Sequence, residues 1–322
     1  MRMIWWILGG IALVVLVAGV GLQMAIARNG PAVLSAVDRI SGGPRDAEVK
    51  ARISTGSHPQ QQLIVWGPAR PDPAEAPLPV LLFTHGGSWR SGNPVDYGFI
   101  ARAFVPEGFI VVLVGYRLGE DGIYPAMLED TANAIAWTHA EIAAYGGDPD
   151  RIVVAGHSAG AYNVVMTTLE EQWLARRGLS PEVVTGVIGL AGPYDFLPLD
   201  SESTIASFGH LEDPAISQPV EHVRPDAPQM LLIHGADDTL VRPRNTHVLT
   251  ERLKQAGGHA LSVVIPEMEH NDPLISLAEP WRSRRDIVGL VAGFAHAVST
   301  RQGEAGQSEA GETSVPVQAR TR

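Results

Sequence analysis

The chain has 322 residues, 45% apolar and 18% charged, which supports one sizeable core with appendages rather than two full domains. Twenty-four Lys and Arg against 35 Asp and Glu leave a net charge of −11, and the absence of a basic face argues against a nucleic-acid partner. Cysteine is absent, which excludes disulfides, thiolate metal sites and cysteine nucleophiles and leaves the redox compartment open.

Residues 3–22 form an unbroken run of uncharged, mostly apolar side chains. At about 1.5 Å per helical residue the run spans roughly 30 Å, the hydrocarbon thickness of a bilayer. Trp5 and Trp6 then fall at the headgroup level. The expectation is a single-pass membrane anchor over 3–26. The rival reading is a signal peptide cut after the small-x-small triplet Ala25-Ile26-Ala27, which would leave a secreted or periplasmic chain. The run exceeds the usual signal-peptide apolar core of about 7–15 residues, which favours the anchor. Residues 27–57 read as a juxtamembrane segment, helical over 32–39 and broken at Gly42-Gly43-Pro44.

The main domain is expected over 58–300. Strands are predicted at 61–66, 80–84, 109–114, 151–155, 183–190, 230–234 and 261–265. Helices are predicted at 97–104, 126–145, 161–173, 244–255 and 287–298. Between the first two strands, Pro68, Pro71, Pro73, Pro77 and Pro79 make the connector too rich in imino acid to join a sheet interior. Short continuous apolar strands alternating with helices predict a parallel sheet covered on both faces, with chemistry beyond the carboxyl ends of the strands. Residues 301–322 are rich in Gly, Glu, Ser and Thr without periodicity and read as a disordered tail.

Gly156-His157-Ser158-Ala159-Gly160 stands between a predicted strand and a predicted helix. In that context a serine sits on a sharp turn with its hydroxyl pushed out at the top of the sheet, and the flanking glycines let the chain reverse. A serine hydroxyl is a weak nucleophile alone, so it requires a base, an acid that orients the base, and donors for an oxyanion. His85-Gly86-Gly87-Ser88-Trp89 follows the strand at 80–84 and can turn backbone N–H groups into a site; read blandly, it is a tight turn. For the acid, the loop after 230–234 offers Asp237 and Asp238; read blandly, either is a loop or helix cap. For the base, His259 precedes the last strand and His296 lies within the closing helix, while His270 follows that strand, which selects His270. No metal-ligand spacing or phosphate loop appears, so neither metal nor cofactor is expected.

Several segments in order carry a resemblance: His85 to Trp89, Gly115-Tyr116-Arg117-Leu118, the Gly-Gly-Asp-Pro-Asp-Arg-Ile run ending at Ile152, Gly156 to Gly160, Gly192-Pro193-Tyr194-Asp195, and His234 to Asp238. Together they resemble the α/β-hydrolase superfamily, and within it the His-Gly-Gly esterase branch. That branch includes carboxylesterases, feruloyl-esterase-like proteins, arylformamidases and prenylcysteine methylesterases. The resemblance covers residues 61–298. It implies an α/β-hydrolase fold, with an eight-stranded, mostly parallel sheet, helices on both faces, and a Ser158, Asp238, His270 triad. The spacing His-Gly-x-x-Asp-x-x-Val selects Asp238 over Asp237. The N–H groups of Gly86, Gly87 and Ala159 are implied as the oxyanion hole, and 192–228, with Phe196, Leu197, Leu199, Phe208 and Leu211, as a small cap. The expected activity is hydrolysis of small to medium carboxylic esters through an acyl-enzyme. An arylformamidase or other amide hydrolase would use the same triad, and the His-Gly-Gly-x-Trp form tilts toward the arylformamidase and feruloyl-esterase-like group. An inactive hydrolase fold serving as a tethered binding module is the non-enzymatic alternative.

Overall fold

The computed structural model describes residues 2–312 apart from 45, 73 and 75, and the side chains of 1–18, 20, 22 and 301–322 lie outside that description. Eight strands make one sheet: β1 (Ala47–Ser54), β2 (Gln62–Pro68), β3 (Leu78–Thr84), β4 (Ile110–Val114), β5 (Gly147–His157), β6 (Val184–Leu190), β7 (Gln229–Gly235) and β8 (Ala260–Ile265). They lie in the order β1-β2-β4-β3-β5-β6-β7-β8. β2 pairs antiparallel with β1 and β4, and all other pairings are parallel. The helices are α1 (Arg2–Ile40), α2 (Gly98–Phe104), α3 (Ala126–Glu141), α4 (Ala159–Leu169), α5 (Gln172–Ala175), α6 (Glu202–Phe208), α7 (Arg244–Gln255), α8 (Asp272–Ile275) and α9 (Ile287–Glu312).

The apolar runs of the interior strands are buried on both faces, with alternate side chains leaving each strand on opposite sides, whereas the edge strand β8 exposes Leu261 and Ser262. Val80, Leu82, Val112 and Val154 join one core layer with residues of α3 and α4. Their neighbours Leu81, Phe83, Val111 and Val153 join the other with residues of α2 and α9. In register, Leu82 stands beside Val112 on one side and Val154 on the other, so β3 occupies the centre of the sheet.

Two features differ from expectation. β1 lies in the stretch read as juxtamembrane; it is an edge strand whose Lys50 and Arg52 interrupt any apolar run. The backbone of α9 continues as a helix to Glu312, into the stretch read as a disordered tail, because the closing helix is already nucleated when it reaches Thr300 and each further residue adds one bond. The N-terminal helix bends at Asn29, whose φ of −156° and ψ of 79° leave the helical region, and Pro31 follows in the next turn. Among the described residues no helix is long and apolar enough to cross a membrane, and nearly all side chains of the expected span 3–22 lie outside them.

Beyond the bend, the second limb of α1 is fixed to the main domain. Buried Asp38 meets Arg102 at 2.5 Å and accepts from the Glu279 N–H at 2.9 Å. Arg102 also donates to the Ser35 carbonyl and hydroxyl, both at 3.0 Å.

Candidate active site

β5 ends at His157 and α4 begins at Ala159, so Ser158 alone makes the turn, with φ 53° and ψ −121°. A non-glycine residue there is strained and persists only where the surroundings over-determine it. The constraints are local: Ser158 N–H donates to Leu190 O at 2.8 Å, a Cβ on Gly156 would strike the backbone of Gly160, and a Cβ on Gly160 would strike the carbonyl oxygens of Thr84 and His85. Gly156 therefore lets the end of β5 pack against the start of α4, and Gly160 lets α4 approach the end of β3.

The loops after β7 and β8 bring the other two side chains to this serine. His270 Nε2 lies 2.9 Å from Ser158 Oγ, and His270 Nδ1 lies 2.7 Å from Asp238 Oδ2. Asp238 Oδ1 accepts from the N–H groups of Leu240 at 2.9 Å and Val241 at 2.8 Å, so the carboxylate is oriented by its own turn. Burial pushes the Asp238 carboxyl up, but hydrogen bonds from His234 and His270, the His270 charge and the Val241 N–H together hold it well below the usual carboxylate range. Asp237 is exposed, and its backbone N–H donates to Met268 O at 3.0 Å. The geometry joins Asp238, not Asp237, to His270.

Two further histidines brace the couple, and the sequence did not single out either one. His234 Nε2 lies 3.1 Å from Asp238 Oδ2 and 2.7 Å from Val241 O, both acceptors, so Nε2 carries the proton. Its Nδ1 then accepts from the Thr246 hydroxyl at 2.8 Å. His157 Nε2 donates to the His270 carbonyl at 3.0 Å; burial, then the His270 charge, lower its pKa to about 3, so the ring is a neutral donor at physiological pH. These roles depend on pairings across the fold, which no local motif announces.

The Gly86-Gly87 loop leaves β3 beside the serine. Gly87 has φ 121°, and a Cβ there would strike the Ser91 carbonyl; a Cβ on Gly86 would lie 2.9 Å from His157 O and 3.2 Å from Ser158 Cβ. Ser88 and Trp89 also take left-handed φ values, 55° and 56°. Packing holds this strained loop: Trp89 donates to Asn163 Oδ1 at 3.0 Å and sits edge-on to Tyr162 and Phe208. His85 lies between the rings of Tyr97 and Tyr116, and Tyr116 donates to His85 O at 3.1 Å. Burial lowers the His85 pKa to about 4, so it too is neutral. Across the site, Ala159 opens α4, whose first N–H groups have no intrahelical acceptor.

Ser158 stands where two cavities meet. One, of about 400 Å³, lies between Gly86 and Gly87, residues 27–31 at the bend of α1, and the His270 loop. The other, of about 610 Å³, lies under residues 193–204 and is bounded by Trp89, Ala159 and Arg244. Of the side chains expected to form a cap, Phe196 and Leu197 line the larger cavity, Phe208 is buried beneath Trp89, and Leu199 and Leu211 pack against the core. Among the described residues no group of three His, Asp or Glu side chains could hold a metal ion.

A strained serine joined to a histidine and its acid, with a glycine loop packed close beside it, forms a constellation suited to acyl transfer. Comparison with known proteins points the same way. A family model, BD-FAE, matches residues 69–253. Esterase LipC of Mycobacterium tuberculosis is 28% identical over 223 residues, covering 64% of this chain and 55% of its own. The probable isoprenylcysteine alpha-carbonyl methylesterase ICME of Oryza sativa is 27% identical over 271 residues, covering 78% of this chain and 64% of its own. The chain thus spans less than two thirds of the length of these curated relatives. Among solved structures, esterase B of Lactobacillus rhamnosis superposes with a TM-score of 0.73 at 19% identity, over 89% of this chain and 97% of that one. The apo form of Thermogutta terrifontis esterase 2 superposes with a TM-score of 0.64 at 22% identity, over 79% and 95%. At such identities the superpositions establish the fold, that of an α/β-hydrolase.

Proposed function

The chain belongs to the BD-FAE family, an α/β-hydrolase esterase family, and on that premise we propose that it is a serine hydrolase of small to medium carboxylic esters. The observation that carries the reading is the unbroken line Ser158 Oγ, His270, Asp238, with contacts of 2.9 and 2.7 Å, on a strained turn. Ser158 Oγ attacks the ester carbonyl while its proton passes to His270 Nε2, and Asp238 holds the Nδ1–H and stabilises the imidazolium. The tetrahedral oxyanion accepts from the Gly86, Gly87 and Ala159 N–H groups; each such donor is worth about 10²–10³ in rate. His270 returns the proton to the departing alkoxide, which leaves as alcohol, and the acyl group stays on Ser158. Water, deprotonated by His270, then attacks the acyl-enzyme, releasing the acid and restoring the serine.

The apolar stretch 3–22 is proposed as a tether of this domain to a membrane, on its length and lack of charge. Turnover of 4-nitrophenyl acetate tests the hydrolase reading: Ser158→Ala should abolish it in a protein that still folds, and substantial residual turnover would overturn the assignment. Membrane fractionation of the full chain tests the tether separately, and recovery of the chain in the soluble fraction would overturn it.

A further inference from the structure

The smaller cavity beside Ser158 has a wall that comes from outside the family match: residues 27–31, at the bend of α1, lie far upstream of residue 69. This wall is anchored. Asn29 Oδ1 accepts from Ala32 N–H at 3.1 Å, capping the second limb of the helix, while Asn29 Nδ2 donates to Asp96 at 2.8 Å beside the cavity residue Tyr97. The buried Asp38–Arg102 pair locks the same limb farther along. Residue 28 is therefore held at the mouth of the cavity by the fold.

The charges of the two cavities differ. The larger is lined by Asp195 and Asp200 as well as Arg242 and Arg244, and Asp195 and Arg244 neutralise each other at 2.6 Å. The smaller has no Asp or Glu in its lining. Apart from the histidines beside Ser158, its one ionisable cation is Arg28, which is exposed and has no ion pair among the described residues. Of the neutral polar groups around it, Ser88 and Asn271 bring O–H and N–H donors, while the Ser91 hydroxyl donates to Gly87 O at 3.3 Å and the Asn29 amide is committed to Asp96 and Ala32. In a chain of net charge −11, an unpaired guanidinium set in a donor-rich cavity next to the nucleophile is a local inversion of the protein's field.

We infer that Arg28 and the bend of α1 form a specificity site in the smaller cavity for an anionic, acceptor-only group of the substrate, such as a carboxylate a few bonds from the scissile ester. This rests on the hydrolase reading and deepens it: the N-terminal segment selects the substrate as well as leading into the domain. Guanidinium pairs with carboxylate through charge-assisted, bidentate hydrogen bonds, and the rest of the lining offers no competing anion.

The test uses the full chain and two aryl esters, 4-nitrophenyl acetate and mono-4-nitrophenyl succinate, whose acyl group ends in a carboxylate. The readout is the ratio of kcat/KM, succinate over acetate, for the wild type, Arg28→Lys, Arg28→Ala and Arg28→Glu. An exposed ion pair replaced by a repulsion of similar size should lower the ratio roughly tenfold in Arg28→Glu, less in Arg28→Ala, with Arg28→Lys retaining most of it. The loss should appear in KM for the succinate ester, and the wild-type ratio should fall as salt rises. A ratio that is the same in the wild type and Arg28→Glu, in enzyme that turns over the acetate ester, overturns this site and leaves the hydrolase reading standing. A wild type that cleaves neither ester overturns both.

Discussion

Asp238→Asn separates the proposed triad from every rival arrangement of the same loop. The Oδ1 position takes two N–H bonds, from Leu240 and Val241, so the amide oxygen must stay there and the NH₂ must replace Oδ2. That NH₂ faces His270 Nδ1, 2.7 Å away in the native protein, and can only donate. His270 is then driven to the tautomer with its proton on Nε2, where it meets Ser158 Oγ at 2.9 Å with an N–H instead of a lone pair. A base in the wrong tautomer costs about 10⁴ in kcat in comparable triads, or about 5 kcal/mol of barrier at 1.36 kcal/mol per decade. Folding should survive, because His234 keeps Val241 O at 2.7 Å; the mispaired NH₂ costs about 1–3 kcal/mol of stability. The assay is steady-state hydrolysis of 4-nitrophenyl acetate alongside thermal unfolding, with Asp237→Asn as control. Asp237 is exposed and should stay within about twofold of wild type. A folded Asp238→Asn enzyme with more than about a tenth of wild-type kcat, or an equal fall in Asp237→Asn, would refute the reasoning.

Thr246→Val removes the hydroxyl that donates to His234 Nδ1 at 2.8 Å, so the ring that bonds Asp238 is held from its Nε2 side alone. With one bond of about 1 kcal/mol lost, kcat should fall roughly five- to tenfold at constant KM, and Thr246→Ser should restore it. The protein should lose stability in mild acid. His85 and His157 have folded pKa values lowered to about 4 and about 3 from the ordinary 6.5, chiefly by burial, so the unfolded chain binds their protons first. Stability is therefore complete above about pH 6.5 and falls toward pH 4 by roughly 1.4 kcal/mol per pH unit for each histidine. Urea unfolding across that range checks the slope, which His157→Asn should reduce by about half. Asp38→Ala leaves the buried Arg102 unpaired and should cost about 3–5 kcal/mol by urea unfolding. A loss below about 1 kcal/mol would mean that the second limb of α1 is not part of the cooperative fold.

What the sequence made legible follows from where the determinants lie. The interior strands carry apolar runs because both faces of the sheet are covered there, and such runs are visible in one dimension. β1 was not legible, since Lys50 and Arg52 on an exposed edge look like linker until β2 pairs with them. Ser158 and His270 were readable from motif and chain order, while Asp238 needed the spacing of the loop, and the turn that binds its Oδ1 shows why that spacing exists. The bracing of the triad was invisible: His157 reaches a carbonyl 113 residues away, and His234 gains its meaning only beside Thr246. Arg28 was also unreadable, because its place in the cavity depends on Asn29 finding Asp96 across 67 residues of chain.

The central claim is that Ser158 is a nucleophile activated by His270. Treating the folded chain with an alkyl fluorophosphonate and measuring intact and peptide mass tests this directly. Ser158 Oγ should displace fluoride with its proton passing to His270, leaving a single phosphonyl adduct on the peptide that contains Ser158. Ser158→Ala should take up none, and Asp238→Asn should react far more slowly. A folded wild-type chain that acquires no adduct, or a Ser158→Ala chain labelled to the same extent, would contradict the claim.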